Sequence, residues 1–311
     1  MTLRNTRTTA GHAARSLLLV FFGLLVATGA AAAQKSFSSP DDAVSALVQA
    51  SKAHDRNATL AVLGDAGEWL SSGDAAADKA RVERFLADYD AKHAIVRDGD
   101  KATLVLGNDE FPFAFPLIKS ADKWRFDTDA GKEELLARRV GANELYVIKV
   151  LQAIVDAQEE YTSTNPMGDG VPAYAQRFMS RPGKHDGLYW PTTAGEAESP
   201  LGVLVTQAAS EGYKQNDKPP TPYHGYLYRM LKGQGKNAES GAFDYVVHGR
   251  GIAGFAVVAY PARYANSGIM TFIVNQSGKV YQADLGTGTK ATAEGMQRFD
   301  PGKGWSLVET K

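Results

Sequence analysis

The sequence predicts an α+β protein. N-terminal helices lead into a curved antiparallel sheet, one long central helix follows, and a second half combines short helices with antiparallel strands. Three observations predict it. The hydrophobic period changes from helical to alternating near His93. Asp129–Tyr161 reads as one uninterrupted helix. Beyond it, apolar or alternating runs are separated by glycine-, proline- and asparagine-rich turns.

The chain opens on Arg4, Arg7 and Arg15, then the apolar run Leu17–Val26 and the small residues Ala31–Ala33. This is the pattern of a secretory signal peptide over residues 1–33, and the apolar run is short for a retained span. The formal net charge is −1. Losing three arginines and no acid makes it more negative, which argues against a nucleic-acid or anionic-membrane footprint. The chain has no cysteine. That excludes disulfides, thiolate metal sites, a cysteine nucleophile and a lipidated N-terminal cysteine. A periplasmic or secreted bacterial protein with no cofactor and no stable membrane span after cleavage is the expectation.

In the first half, Ser39-Pro40-Asp41-Asp42 starts a helix running to about His54. A second helix covers Ala58–Leu63, and a third runs from Ala75 to Tyr89 with Val82, Phe85, Leu86 and Tyr89 on one face. Strands at His93–Val96 and Ala102–Leu106 flank the hairpin dipeptide Asp98-Gly99. Phe111–Ile118 is a third strand, confined to an edge or bulged by Pro112 and Pro116, and Lys123–Phe126 is a fourth. His54, Asp65, Glu68, Asp74, His93 and Asp109 show no recognised spacing, and Trp69 and Trp124 suit either a cone mouth or the core.

The central helix places Leu136, Val140, Val147, Leu151, Ile154 and Tyr161 on one face, with a wide apolar band over Leu145–Val155. Such girth implies burial by more than one neighbour. Arg139, Asn143 and Glu144 fall on or beside that face. Unpaired burial there would cost several kcal/mol, so a polar network locking the two halves together is expected.

The second half predicts a short helix at Ala173–Met179, a turn-rich segment Arg181–Pro191, and a helix over Pro200–Gly212. Strands follow at Tyr223–Leu231 and Gly254–Tyr260, with a hairpin of Ile269–Val274 and Val280–Asp284. The boundaries are residues 1–33 for the leader, 34–128, 129–161 for the bridging helix, and 162–311.

Chemistry is weakly signalled. His185, Asp186 and His224 are the candidates for zinc binding or acid–base catalysis, yet no His-x-x-x-His spacing exists. Asn165 and Asp169, in Asn165–Gly170, are candidate calcium ligands, with a plain solvated turn as the alternative. Tyr189, Trp190 and Tyr226 belong to a tyrosine-rich group suited to glycan or peptide binding if exposed, or to packing if not. Ser267 precedes a strand and Gly249-Arg250-Gly251 lacks a strand–loop–helix context, so both read as turns.

Three resemblances follow from these residues. Helices before a curved antiparallel sheet resemble the cone-shaped fold of nuclear-transport-factor-2-like proteins, which host enzymes and inert binders alike. Gly183–Pro191, Pro222–Tyr226 and Gly254–Pro261, with Asn266-Ser267-Gly268 and Val274-Asn275-Gln276, resemble the uncharacterised bacterial family called domain of unknown function 2950. That resemblance implies no particular activity. Residues 143–286, with Gln158–Tyr161, Gly225–Tyr228, Ala259–Pro261, Gly268–Phe272 and Gly278–Tyr281, are similar to pseudopilin globular domains, in which a helix packs across a sheet. Here the helix begins mid-chain, so filament assembly is not implied. The expected function is a non-enzymatic envelope module binding a protein or glycan. The alternatives are a hydrolase or metal enzyme using His185, Asp186 and His224, and an accessory of a pilus or secretion system.

Overall fold

The computed structural model describes residues 34–64, 67–214 and 221–309, which belong to one compact unit. The leader read over residues 1–33 lies outside the described residues, as do Asp65 and the Glu68 side chain.

The first half begins with α1 (Pro40–Lys52), capped by the Ser39 hydroxyl accepting from the Asp42 amide with proline at the first turn. After it come α2 (Arg56–Leu63) and α3 (Ala75–Ala91), capped by Asp55 and Asp74. Strands β1 (His93–Asp98) and β2 (Lys101–Leu106) form the predicted hairpin, Asp98 pairing with Lys101. The single strand expected over 111–118 is broken. Pro112 and Pro116 cannot donate to a ladder, so β3 (Phe111–Pro112) pairs with β2 and the chain turns inward before β4 (Leu117–Ser120). Phe113 and Phe115 thereby join the core formed by Leu47, Leu104, Leu117 and Phe126. Strand β5 (Lys123–Phe126) closes the sheet, order β1-β2-β4-β5.

Helix α4 (Thr128–Thr164) is continuous over 37 residues, including Gly141. Asp127 caps it, accepting from the Ala130 amide, and Asn165 ends it in the left-handed conformation. Its first turns touch the first half: a Cβ on Gly131 would lie 2.1 Å from the Phe115 ring, and Leu135 packs on the same core. From Val147 onward its buried face lies on the second sheet through Leu151, Ile154 and Tyr161. Leu145, on the edge of that band, is 66% exposed instead.

The second half contains α5 (Gly202–Ser210), β6 (Tyr226–Leu231), β7 (Gly233–Gln234), β8 (Phe243–Asp244), β9 (Ala256–Pro261), β10 (Met270–Asn275), β11 (Tyr281–Asp284), α6 (Thr289–Gly295), β12 (Arg298–Phe299) and β13 (Ser306–Leu307). The main sheet runs β13-β11-β10-β9-β6, and β12-β7-β8 form a small one. Strand β9 is buried at every residue because both faces are covered. Val257 and Ala259 face α4, whereas Ala256, Val258 and Tyr260 join Ala293 of α6 and Phe299. That explains an apolar run where a one-faced strand would alternate.

Two expectations fail here. Residues 173–179 form no helix, because their main chain is paired elsewhere. The buried Gln158 side chain donates to the Ala175 carbonyl and accepts from its amide, both at 2.8 Å, and the Tyr174 amide donates to Gly251. The strand expected from Tyr223 starts at Tyr226, since His224 and Gly225 take positive φ in a tight turn.

Candidate functional site

Arg139, Asn143 and Glu144 project from adjacent turns of α4 and bond to both halves. Arg139 is 3% exposed. It donates to the Trp69 and Leu70 carbonyls, each at 2.9 Å, and to the Asn266 side-chain carbonyl. Asn143 donates to the Ser267 carbonyl at 2.8 Å. One Glu144 oxygen accepts from the Ile269 and Met270 amides, each at 2.9 Å. The buried Asp74 cap also accepts from the Tyr213 hydroxyl and the Gly225 amide at 2.9 Å, a second tie across the halves.

The residues singled out for chemistry are dispersed. His224 stacks on Tyr146, ring centres 3.5 Å apart, with Nε2 2.8 Å from Glu211. Burial pushes its pKa below the usual value, against the pull of Glu211. His185 is exposed and stacks on Trp190, while its carbonyl accepts from the Tyr161 hydroxyl at 2.6 Å. Tyr146 and Tyr161 lie about four helical turns apart, roughly 22 Å along α4. So His224 does not meet His185 and Asp186 in one cleft.

Asp186 and Asn165 share a polar cleft of about 200 Å³ with Arg177, Arg181 and Arg250. Burial raises the Asp186 pKa, but bonds from the Arg181 amide and side chain, with Arg177 nearby, outweigh it and hold the carboxyl low. Asp169 is clamped by both terminal nitrogens of Arg250, and Asn165 serves as the α4 cap. Among the described residues no group of three or more His, Asp or Glu is placed to hold a metal.

Tyr226 cannot be an exposed binding residue. It is fully buried, its hydroxyl donating to the Met270 carbonyl at 2.8 Å, because its ring fills the core beneath α4. Tyr189 and Trp190 are half-buried against that core. Trp124 is buried and Trp69 stacks on Phe115, so neither tryptophan forms a mouth.

A cavity of about 330 Å³ opens in the first half between α1, α2, α3, the 113–115 bend and the start of α4. Its walls are apolar: Leu47, Leu63, Leu70, Phe85, Phe113 and Phe115. Exposed His54 and Arg56 mark the mouth, and Arg81, Asp78 and Arg139 supply the remaining charge. Burial raises the Asp78 pKa, but Ser72, Ser71 and Arg81 outweigh it and keep the carboxyl ionised. Arg56, Asp78 and Arg81 were not legible as site residues. The available signal was a basic residue beside Val82 and Phe85 on the amphipathic α3.

The cavity is thus open, largely apolar, and held between helices and a bent sheet. The family model described as protein of unknown function, DUF2950, matches residues 34–308, and the chain belongs to that family. No curated protein and no solved structure matches it. Among the described residues no helix is long and apolar enough to cross a membrane.

Proposed function

We propose that this is an exported, non-enzymatic binding protein of the bacterial envelope whose first half takes up a small, largely apolar ligand. The basic, apolar, small-residue pattern of residues 1–33 supports export. The single observation carrying the binding role is the 330 Å³ cavity with leucine and phenylalanine among its walls, at the lower end of the size range of ligand sites. The second half acts as a scaffold joined through α4, and its surface is the place for a protein or glycan partner. The dispersal of His185, Asp186 and His224 weighs against hydrolytic or metal chemistry using all three.

Calorimetry with eight-carbon ligands that differ only in their head group tests the reading. At least one should bind the purified protein. Val82→Trp, at a half-open wall position of the cavity, should abolish that binding while the circular dichroism spectrum is retained. Absence of binding by every ligand, or equal binding by Val82→Trp, overturns it.

A further inference from the structure

We propose that the ligand of the first-half cavity is an anionic amphiphile, with a carboxylate or phosphate-monoester head held by the arginines and a short tail between the phenylalanines. The proposal rests on the binding reading above.

The charge around the cavity is unbalanced. Among the described residues, Arg56, Arg81 and Arg139 line it with Asp78 as the one carboxylate, and His54 stands at the mouth. Asp78 is fully engaged: it accepts from the Ser71 hydroxyl at 2.9 Å, from the Ser72 amide, and from Arg81 at 2.9 Å. Arg56 makes a long contact of 3.4 Å to the Gly67 carbonyl. Arg139 is the unusual member. It is nearly fully buried, its hydrogen-bond acceptors are two carbonyls and an asparagine, and its Nε has no partner. A buried guanidinium normally sits against a carboxylate or phosphate. Burial, then the nearby Arg81, lower the Arg139 pKa to about 10, with Asp78 opposing. An anion entering the cavity would offset the positive charge of Arg81 and Arg139, and the guanidinium fork suits either oxyanion.

The size fits. At roughly 30 Å³ per non-hydrogen atom, the share a water takes in liquid, the cavity holds on the order of eleven such atoms. That is an eight-carbon chain with its head group. The walls offer the tail apolar side chains, among them Leu63, Leu70, Phe85, Phe113 and Phe115.

Titration calorimetry of the purified protein with octanoate, octyl phosphate, 1-octanol and octylammonium tests the inference. Octanoate or octyl phosphate should bind at least tenfold more tightly than 1-octanol, and octylammonium more weakly than 1-octanol. The tighter of the two anions identifies the head group. The preference should fall below threefold in Arg56→Gln/Arg81→Gln, both of them outside the junction between the halves, and in Arg139→Gln if that variant folds. Equal binding of anion and alcohol, or an undiminished preference in the double variant, overturns the inference while leaving the binding reading standing. No binding by any of the four overturns the binding reading itself.

Discussion

Two glycines of α4 invite the same substitution with opposite outcomes. Gly131 lies where the helix meets the first half, and a Cβ there would come within 2.1, 2.4 and 2.7 Å of three Phe115 ring atoms. Phe115 is 2% exposed and its ring is packed against Trp69 and Phe113, so it must shift to admit the methyl. Overpacking of this kind costs about 1–3 kcal/mol, and the severity of three sub-3 Å approaches argues for the upper end. Alanine returns about 1 kcal/mol of helix propensity, so Gly131→Ala should destabilise by roughly 2 kcal/mol. Gly141 is exposed and its added Cβ meets nothing within 4 Å. Gly141→Ala should therefore stabilise by about 0.5–1 kcal/mol. Urea unfolding followed by circular dichroism at 222 nm measures both. Phe115→Leu should cost less in the Gly131→Ala background than alone, since it makes room for the methyl. Equal stabilisation by the two alanines would refute the packing of the helix start on Phe115.

Other consequences follow from the junction. Glu144→Ala strands the Ile269 and Met270 amides and should cost about 2–4 kcal/mol, whereas Glu144→Gln, keeping an acceptor oxygen, should retain most of it in the same urea assay. Asp74→Ala removes a helix cap and the acceptor for Tyr213 and Gly225, and should lower stability by about 2–4 kcal/mol, while Tyr213→Phe loses about 1 kcal/mol. His224 has a folded pKa below its usual 6.5, because burial outweighs Glu211. The unfolded chain then binds the proton more readily, so this stabilisation is full above about pH 6.5 and is lost as pH falls through the lowered folded value. His224→Asn, which tolerates the positive φ, should flatten that part of the stability–pH curve; an unchanged slope would place its origin elsewhere.

Elements with a strong local signal were legible. The cap at Ser39 begins a helix, and Asp98-Gly99 turns a hairpin. The rest depended on partners distant in sequence. Residues 173–179 have helical composition, but the Gln158 side chain takes the Ala175 amide and carbonyl, a pairing no local pattern announces. Strands β7, β8 and β12 are two residues each, too short for any period. Arg139, Asn143 and Glu144 stood out as polar residues on an apolar face. Their partners are mostly main-chain atoms of Trp69, Leu70, Ser267, Ile269 and Met270, which side-chain identity does not encode. The cavity is likewise assembled from residues between Leu47 and Arg139, with no spacing to mark it.

Helix α4 should tie both halves into one cooperative body. Of the four tryptophans, Trp69 and Trp124 lie in the first half and Trp190 and Trp305 in the second. Urea unfolding can thus be followed by fluorescence in Trp190→Phe/Trp305→Phe, which reports the first half, and in Trp69→Phe/Trp124→Phe, which reports the second. Within each variant, the fluorescence and circular dichroism transitions should coincide. A fluorescence midpoint displaced from the circular dichroism midpoint in either variant, with the two halves melting in separate steps, would contradict it.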